Sequence, residues 1–270
     1  MSVQIIPTLA KKATRALIKS GKRSDGRAFD QMRPVKITVG DYKRAEGSAT
    51  CWLGKTMVAA GIKIGVGTPY PDSPNVGVLS SNAELVPAAD PQFQAGPPKE
   101  EAIELARVVD RGIRESKCIE LEKLCITPGE ETRMVYIDSY VMDNDGNYMD
   151  AASIAAITAL HNTVIEDFGP LPITKKPIAN TFIKVGSDIL LDPCLEEEYV
   201  ADARLTISVE ENNNVCAMQK AGSGSWTKDE VLKCVDLAIT RAAETRKKVE
   251  DALAAFGKEP APAQPSAGKM

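Results

Sequence analysis

The clearest helical pattern in the chain lies in residues 101–117, EAIELARVVDRGIRESK. Its apolar residues recur every three or four positions and therefore share one face of a helix. Arg107, Arg111 and Arg114 fall on the opposite face, within a sector of about 60° at roughly 100° per residue. The pattern predicts a helix that buries one side and exposes three cations on the other. We call these three residues the arginine ridge.

Two interpretations of the arginine ridge are open at this point. If the helix face is simply solvated, Arg107 pairs with Asp110 and Arg111 pairs with Glu115, and each pair stabilises the helix only weakly. Alternatively, the ridge binds a polyanion such as RNA, because guanidinium groups match phosphate oxygens and stack on bases.

The rest of the pattern predicts strands followed by a long helix in each half of the chain. β-Branched and apolar runs, separated by glycines, indicate antiparallel hairpins near the N-terminus. This order is typical of an α+β fold in which antiparallel or mixed sheets pack on long helices, with two pseudo-repeated halves. The predicted strands lie in residues 33–40, 47–54, 56–66, 81–89, 123–129, 132–143, 176–193 and 201–224.

Three further helices are predicted. The first covers about residues 5–20 and places Leu9, Ala13, Ala16 and Leu17 on one side. The second runs from Asp150, a plausible N-cap, to Phe168, and the third covers about residues 227–256. We expect one domain over residues 1–256, followed by a disordered tail at 257–270 that is rich in Pro and Ala.

Composition narrows the functional classes. The chain has 270 residues, 43% of them hydrophobic and 26% charged, as is typical of a folded globular protein. Its net charge of −4 argues against indiscriminate coating of nucleic acid, so any RNA contact must be local. Neither a long apolar run nor the apolar core of a secretory signal is present. We therefore expect a cytoplasmic protein without membrane contact.

The residues that usually bind metals or cofactors are sparse. The six cysteines contain no CxxC pair, so buried free thiols are expected. His161 is the single histidine and lies inside a predicted helix. The segment GSATCWLGKT resembles a phosphate-binding loop only in part, because Ala49 occupies the position of its first glycine. We predict no metal and no cofactor.

Several segments occur in an informative order: SDGR near the N-terminus, GSATCWLGKTMVAAGIK, DAAS, LLDP and KDEVLKCVDLAI. Together they resemble the RNase PH family of phosphorolytic 3′ exoribonucleases, and in particular the non-catalytic RNase PH-like subunit of the archaeal exosome core. The resemblance implies an RNase PH-like fold and an alternating hexameric ring, with three copies of this chain and three of a catalytic RNase PH-like subunit. It also implies RNA-binding cap proteins as partners and a channel that threads single-stranded RNA during degradation and 3′ processing.

The same resemblance implies that the catalytic residues are absent. Counted back from DAAS, the element that holds phosphate in active members falls at residues 143–147, where there is no arginine. Counted forward from LLDP, the catalytic carboxylate falls at Arg204. Asp202 is two residues away, which is roughly 7 Å along a strand and outside hydrogen-bond reach of that position.

In this family the helix that corresponds to residues 99–117 lines the RNA path. The resemblance therefore favours RNA binding by Arg107, Arg111 and Arg114. Two alternatives stay open. One is a phosphorolytic exoribonuclease that is active on its own through Asp145 and Asp202, and the other is an unrelated α+β metabolic enzyme or binding protein.

Overall fold

Strands and long helices alternate along residues 8–257, the part of the chain that this computed structural model describes. The helices of this part are α1 (Thr8–Lys19), α2 (Glu100–Ser116), α3 (Tyr148–His161), α4 (Leu195–Glu198) and α5 (Lys228–Phe256), with a 3₁₀ turn at Leu121–Leu124. Its strands are β1 (Val35–Val39), β2 (Gly47–Leu53), β3 (Thr56–Gly67), β4 (Val78–Leu85), β5 (Cys125–Thr127), β6 (Glu131–Asp143), β7 (Val164–Ile165), β8 (Gly169–Pro170), β9 (Ile178–Val185), β10 (Asp188–Leu191), β11 (Ala203–Val209) and β12 (Val215–Ala221).

The strands form two main sheets, one from each half of the chain. The first has the order β1-β2-β3-β6-β4, with β5 beside β6, and its pairs are antiparallel except for the parallel pair β4 and β6. The second has the order β10-β9-β11-β12 and is antiparallel throughout. Strands β7 and β8 form a separate small ladder. The predicted α+β fold with antiparallel and mixed sheets is confirmed.

Helix α3 lies between the two sheets, against β2 and β3 on one side and β9 on the other. Apart from Ser153, every residue from Tyr148 to Leu160 is buried. Its sequence is apolar around the whole circumference, which is the pattern of a helix without a solvent face. The hydrophobic core is therefore continuous between the two halves of the chain.

Both predicted ends of the second helix were wrong. The N-cap is Asn147 and not Asp150: Asn147 has a left-handed φ of 52°, and its side chain accepts a hydrogen bond from the Asp150 amide. Asparagine suits this position because it tolerates left-handed backbone and caps well. The helix ends at His161, well before Phe168, because the β-branched residues of 163–165 favour extended backbone and lead into β7.

The first predicted helix is present as α1, but most of the residues that were placed together on one side of it are exposed. Leu9, Ala13 and Ala16 are exposed, whereas Ile18 is buried in a small cluster at the edge of the second sheet. Residues 5–7 of the predicted helix and residues 258–270 of the predicted tail lie outside the described residues. Helix α5 begins after its N-cap Thr227 and ends at Phe256, as predicted.

A buried carboxylate, Asp192, joins the N-terminal segment to both halves of the fold. Its Oδ1 accepts hydrogen bonds from Arg33 Nη2 at 2.7 Å and from Asn147 Nδ2 at 2.7 Å. Its Oδ2 accepts from Arg33 Nε at 3.0 Å, from the Arg33 amide at 2.8 Å and from Arg27 Nη1 at 3.1 Å.

Nearby, Arg23 makes a buried ion pair with Glu197 at 2.6 Å. Three arginines within residues 23–33 thus bind two carboxylates within residues 192–197.

Charge stabilises this arrangement despite the burial. Burial alone would raise the pKa of Asp192, but the hydrogen bonds and positive charge of Arg33 outweigh it and hold the pKa below its ordinary range. Arg33 also donates to the carbonyl oxygens of Asp145 at 2.8 Å and Gly146 at 3.1 Å. The loop before α3 is therefore fixed from behind by the same ion pair.

We predict that Asp192→Asn lowers the free energy of unfolding by about 3 to 5 kcal/mol, because it leaves buried arginine charge without its counter-ion. Backbone strain does not complicate the test, since asparagine adopts the left-handed φ of 50° at this position readily. Asp30→Asn is the control, because the Asp30 side chain is 62% exposed. Thermal and denaturant unfolding would measure both variants; a decrease below about 1 kcal/mol for Asp192→Asn would contradict this account.

A second prediction concerns Asp150, whose pKa is raised to about 7 by burial, against hydrogen bonds from Asn147 and Thr181. Because the folded pKa exceeds the unfolded one, Asp150 costs stability as the pH rises from about 4 to 7. Asp150→Asn mimics the protonated form. The unfolding free energy of wild type relative to this variant should therefore fall over that window, by at most about 1.4 kcal/mol per pH unit, and then level off. If the unfolding free energies of wild type and Asp150→Asn change with pH in parallel, the raised pKa of Asp150 is contradicted.

Candidate nucleic-acid interface

Helix α2 forms where the sequence predicted it, to within one residue at each end. Pro97 and Pro98 precede it, Glu100 and Glu101 lie in its first turn, where they complement the helix dipole, and Lys117 ends it with a left-handed φ of 52°. Its apolar face is buried by residues spaced three or four apart: Ala102, Leu105, Val108, Val109, Gly112, Ile113 and Ser116.

The helix lies along one edge of each sheet. It packs against β4, the last strand of the first sheet, and against β12, the last strand of the second. At Gly112 the helix also comes close to β11, where an added Cβ atom would lie 3.2 Å from Ser208 Oγ. The outward face of α2 is consequently framed by two strand edges.

The structure separates the three arginines of the ridge. Arg107 and Arg111 are exposed, and neither makes an ion pair or side-chain hydrogen bond within residues 8–257. Arg114 is engaged: its Nε and Nη2 atoms contact the Asp110 carboxylate at 2.9 Å and 2.7 Å, and Nη2 also donates to the Leu79 carbonyl oxygen at 2.9 Å. The hydrogen bonds from Arg114 to Asp110 raise the pKa of the guanidinium.

The two ion pairs expected for a solvated face are not formed. Asp110 binds Arg114 instead of Arg107, and Glu115 and Arg111 form no ion pair within residues 8–257. Arg107 and Arg111 are thus cations without a counter-ion in the described part of the chain.

An open groove of about 660 Å³ separates α2 from the edge of β4. Arg107 and Arg111 line its helical side, whereas Glu84 and Asp138 line its strand side. Asp110 lies on the helical side as well, but Arg114 binds its carboxylate, so the groove is positive along the helix and negative along the sheet, and an anion is favoured only against α2. The remaining lining residues are Ser81, Asn82, Ala83, Pro98, Ala102, Ile103 and Ala106.

In the loop at residues 143–147, three backbone amides are already hydrogen-bonded within the protein. A loop binds phosphate through free backbone N–H groups, but here the amide of Asp145 donates to Thr56 Oγ1, that of Gly146 to Asn144 Oδ1 and that of Asn147 to Glu198 Oε1. Gly146 packs so tightly that a Cβ atom would lie 2.5 Å from the Cys194 carbonyl carbon.

Arg204 and Asp202 both have partners elsewhere. Arg204 Nη2 lies 2.6 Å from Glu104 Oε2 of α2. Burial lowers the pKa of Arg204, but the bond to Glu104 outweighs this and raises it. Asp202 accepts from the Gly186 amide at 2.7 Å and from Arg15 of α1 at 2.7 Å, which lower its pKa together despite some burial. Its carboxylate is held on the α1 side of the second sheet.

Other site chemistries find little support in the described chain. In residues 8–257 no group of three or more histidine, cysteine or acidic side chains is placed to hold a metal ion. All six cysteines are free thiols, and four of them are buried. No helix of this part of the molecule has the length and apolar character needed to cross a bilayer.

Comparison with known proteins identifies the family of this chain. Domain 1 of the 3′ exoribonuclease family (RNase PH) matches residues 31–166, and domain 2 of that family matches residues 176–241. The chain belongs to the RNase PH family. The resemblance drawn from the sequence motifs is thereby confirmed.

Several similar proteins come from archaea. The exosome complex component Rrp42 of Thermococcus onnurineus is 46% identical over 94% of this chain and 98% of its own length. The Rrp42 protein of Pyrococcus horikoshii is 47% identical over 89% of this chain and 93% of its own. A chain of the solved Archaeoglobus fulgidus exosome with RNA bound to the active site superposes with a TM-score of 0.86, at 43% identity, covering 89% of this chain and 97% of that one.

Sequence reasoning missed the partner of Arg204. Glu104 lies on α2 and Arg204 on β11, so no local spacing connects them. The only signal in the sequence was the position of Glu104 at the border between the buried and exposed faces of the predicted helix.

Proposed function

We propose that this RNase PH chain is a non-catalytic, RNA-binding structural subunit of the hexameric ring of a phosphorolytic 3′–5′ exoribonuclease complex, an exosome. The observation that carries the proposal is the pair of exposed, unpaired arginines, Arg107 and Arg111, on a helix beside an open groove within the described residues 8–257. The similar Rrp42 proteins are exosome components, and the Archaeoglobus exosome contains RNA.

The absence of catalysis is part of the proposal. Phosphorolysis needs a site for inorganic phosphate and a carboxylate near the scissile bond. At residues 143–147 the amides of Asp145, Gly146 and Asn147 are already bonded inside the protein. At the position of the acid, Arg204 supplies a positive charge that is neutralised by Glu104.

RNA binding by the ridge would be largely independent of sequence. Guanidinium groups that contact phosphates position the RNA backbone and do not read its bases. The acidic strand side of the groove repels phosphate, so the RNA backbone is expected to follow α2. In this proposal Arg107 and Arg111 contact RNA directly, whereas Arg114 lies next to the path with its guanidinium bound to Asp110.

The proposed partner is a catalytic RNase PH-like subunit that alternates with this chain, three copies of each, in a cytoplasmic complex with RNA-binding cap proteins. Support comes from the two strand edges beside α2, since the far sides of β4 and β12 pair with no other strand of the described chain. Unpaired edges are usually covered in stable proteins. A neighbouring subunit would cover them and bring its own active site next to the ridge.

An enzyme that works alone through Asp145 and Asp202 has less support. The Asp145 carboxylate lies 3.8 Å from Arg33, whereas Asp202 is bound by Arg15 of α1. No observation within residues 8–257 joins these two acids in one site.

We predict that Arg107→Ala combined with Arg111→Ala weakens binding of single-stranded RNA at least about tenfold in the assembled complex, because each charge-assisted contact contributes roughly 1.5–3 kcal/mol. The slope of log affinity against log salt should become shallower by about 0.7 for each phosphate that the variant no longer binds. Thermal stability and ring assembly should be nearly unchanged, since both side chains are exposed. Fluorescence anisotropy and light scattering measure these quantities.

Arg44→Ala is the matched control, because Arg44 is exposed, lies in the β1–β2 connection and makes no side-chain ion pair or hydrogen bond within residues 8–257. Arg133 is unsuitable, since it pairs with Asp167 at 2.9 Å and lies 4.9 Å from the Phe168 ring centre. If the double variant binds RNA like wild type at low and moderate salt, the ridge is only a solvated face.

A further inference from the structure

Arg107 is unpaired within the described residues, although two carboxylates lie within one helical turn of it. Glu104 precedes it by three residues and Asp110 follows it by three, and side chains at this spacing are neighbours on a helix. Each carboxylate is bound to a different arginine. Glu104 binds Arg204 of β11, and Asp110 binds Arg114.

We propose that Arg204 and Arg114 are positioning residues: they occupy the carboxylates of Glu104 and Asp110 and so keep Arg107 free to bind RNA phosphate. The inference rests on the proposed RNA-binding function of the ridge. It assigns a role to the arginine that stands where active relatives are expected to carry their acid.

The packing of α2 fixes the contact between Glu104 and Arg204. Glu104, Val108 and Gly112 are spaced four residues apart on the helix and run beside Arg204, Thr206 and Ser208, which are spaced two apart on β11. Eight helical residues rise about 12 Å and four strand residues about 13 Å, so the two rows match in length. The close approach of Gly112 to Ser208 sets one end of the row, and the ion pair forms at the other.

The contact between Arg114 and Asp110 is anchored in a similar way. Both carboxylate oxygens of Asp110 are bonded to Arg114, and neither is paired with Arg107 in the described chain. A third bond ties Arg114 Nη2 to the Leu79 carbonyl oxygen of β4. Because the guanidinium is held by the sheet as well as by the helix, it does not exchange easily with a neighbouring side chain.

The proposal predicts that a second substitution restores the RNA affinity that the first one lowers. Without Arg204, the unpaired Glu104 carboxylate would bind Arg107 or repel an approaching phosphate, and RNA affinity would fall. Removing the charge of Glu104 in the same molecule should then restore it. A purely architectural role for the ion pair predicts no such rescue, because the double variant lacks the contact as well.

The experiment compares Arg204→Met, Glu104→Gln and the double variant in the full chain, assembled with a catalytic RNase PH-like subunit. The probe is a labelled poly(A) oligoribonucleotide at low salt, and methionine is chosen because it retains the apolar packing of the arginine stem. We expect Arg204→Met to weaken binding roughly two- to fivefold, which is the scale of one helical ion pair and one nearby like charge. Glu104→Gln alone should bind at least as well as wild type, and the double variant should return to wild-type affinity.

A parallel set, Arg114→Met, Asp110→Asn and their double variant, tests the second carboxylate in the same way. If Arg204→Met fails to assemble, this second set alone tests whether the paired arginines keep Arg107 free. The inference is overturned if the single arginine variants bind like wild type, or if the double variants remain as weak as the singles. The ridge variant Arg107→Ala with Arg111→Ala separates the two claims: if it binds RNA normally, the proposed function itself fails.

Discussion

The ion pair between the buried Asp192 and Arg33 is the interaction on which the rest of the molecule depends. It connects the N-terminal segment, the start of the central helix α3 and the turn after β10, and through Arg33 it also holds the loop at residues 143–147. The Asp192 carboxylate stabilises the fold only while these three segments are in place. Its charge therefore couples the two sheets. A fold of the RNase PH type is thereby maintained around a loop whose amides are already bonded within the protein.

Charge pairing also determines which arginines on the surface of α2 remain unpaired. Helix α2 carries enough acid to neutralise its own arginines, yet Glu104 and Asp110 are directed to Arg204 and Arg114. The unpaired charge is left on Arg107 and Arg111, where the helix faces an open groove beside the edge of β4 in the described chain. In the proposed complex, this chain supplies cations for the RNA backbone and its neighbour supplies the chemistry. An acidic protein can present such a site because only the local arrangement of charges matters at short range.

Much of the fold could be predicted because local patterns dictate it. The period of apolar residues located α2 to within one residue at each end, and the β-branched and apolar runs located β1, β2, β3 and β6 closely, whereas the strand predicted at 81–89 begins three residues earlier as β4. Prediction from the sequence failed where a contact with a residue far away along the chain determines the local structure. Asp150 resembles a cap, but its carboxylate turns toward Thr181, and Asn147 caps the helix. Likewise, the helical period places Leu9 and Ala13 on one side of α1, yet both are exposed, and Ile18 is the residue of α1 that is buried, in the small cluster beside the second sheet.

The candidate site was predictable only in part for the same reason. The three arginines share a helix face by period alone, but their partners depend on β11 and β4, which are far away in sequence. The weak local pairs expected from spacing, Arg107 with Asp110 and Arg111 with Glu115, do not form, since Arg114 binds Asp110 with good geometry and an additional bond to the sheet. RNA binding by Arg107 and Arg111 stays a prediction, whereas Arg114, which the period grouped with them, is bound to Asp110 and to the Leu79 carbonyl oxygen.

The central claim is that this chain supports phosphorolysis without performing it. The most direct test incubates the purified chain with RNA, inorganic phosphate and a divalent metal ion, alone and then mixed with a catalytic RNase PH-like subunit, and measures released nucleoside diphosphates. The account predicts no release by the isolated chain and release in the mixture, with the same rate when this chain carries Asp202→Asn. Turnover by the isolated chain that Asp202→Asn abolishes would contradict it.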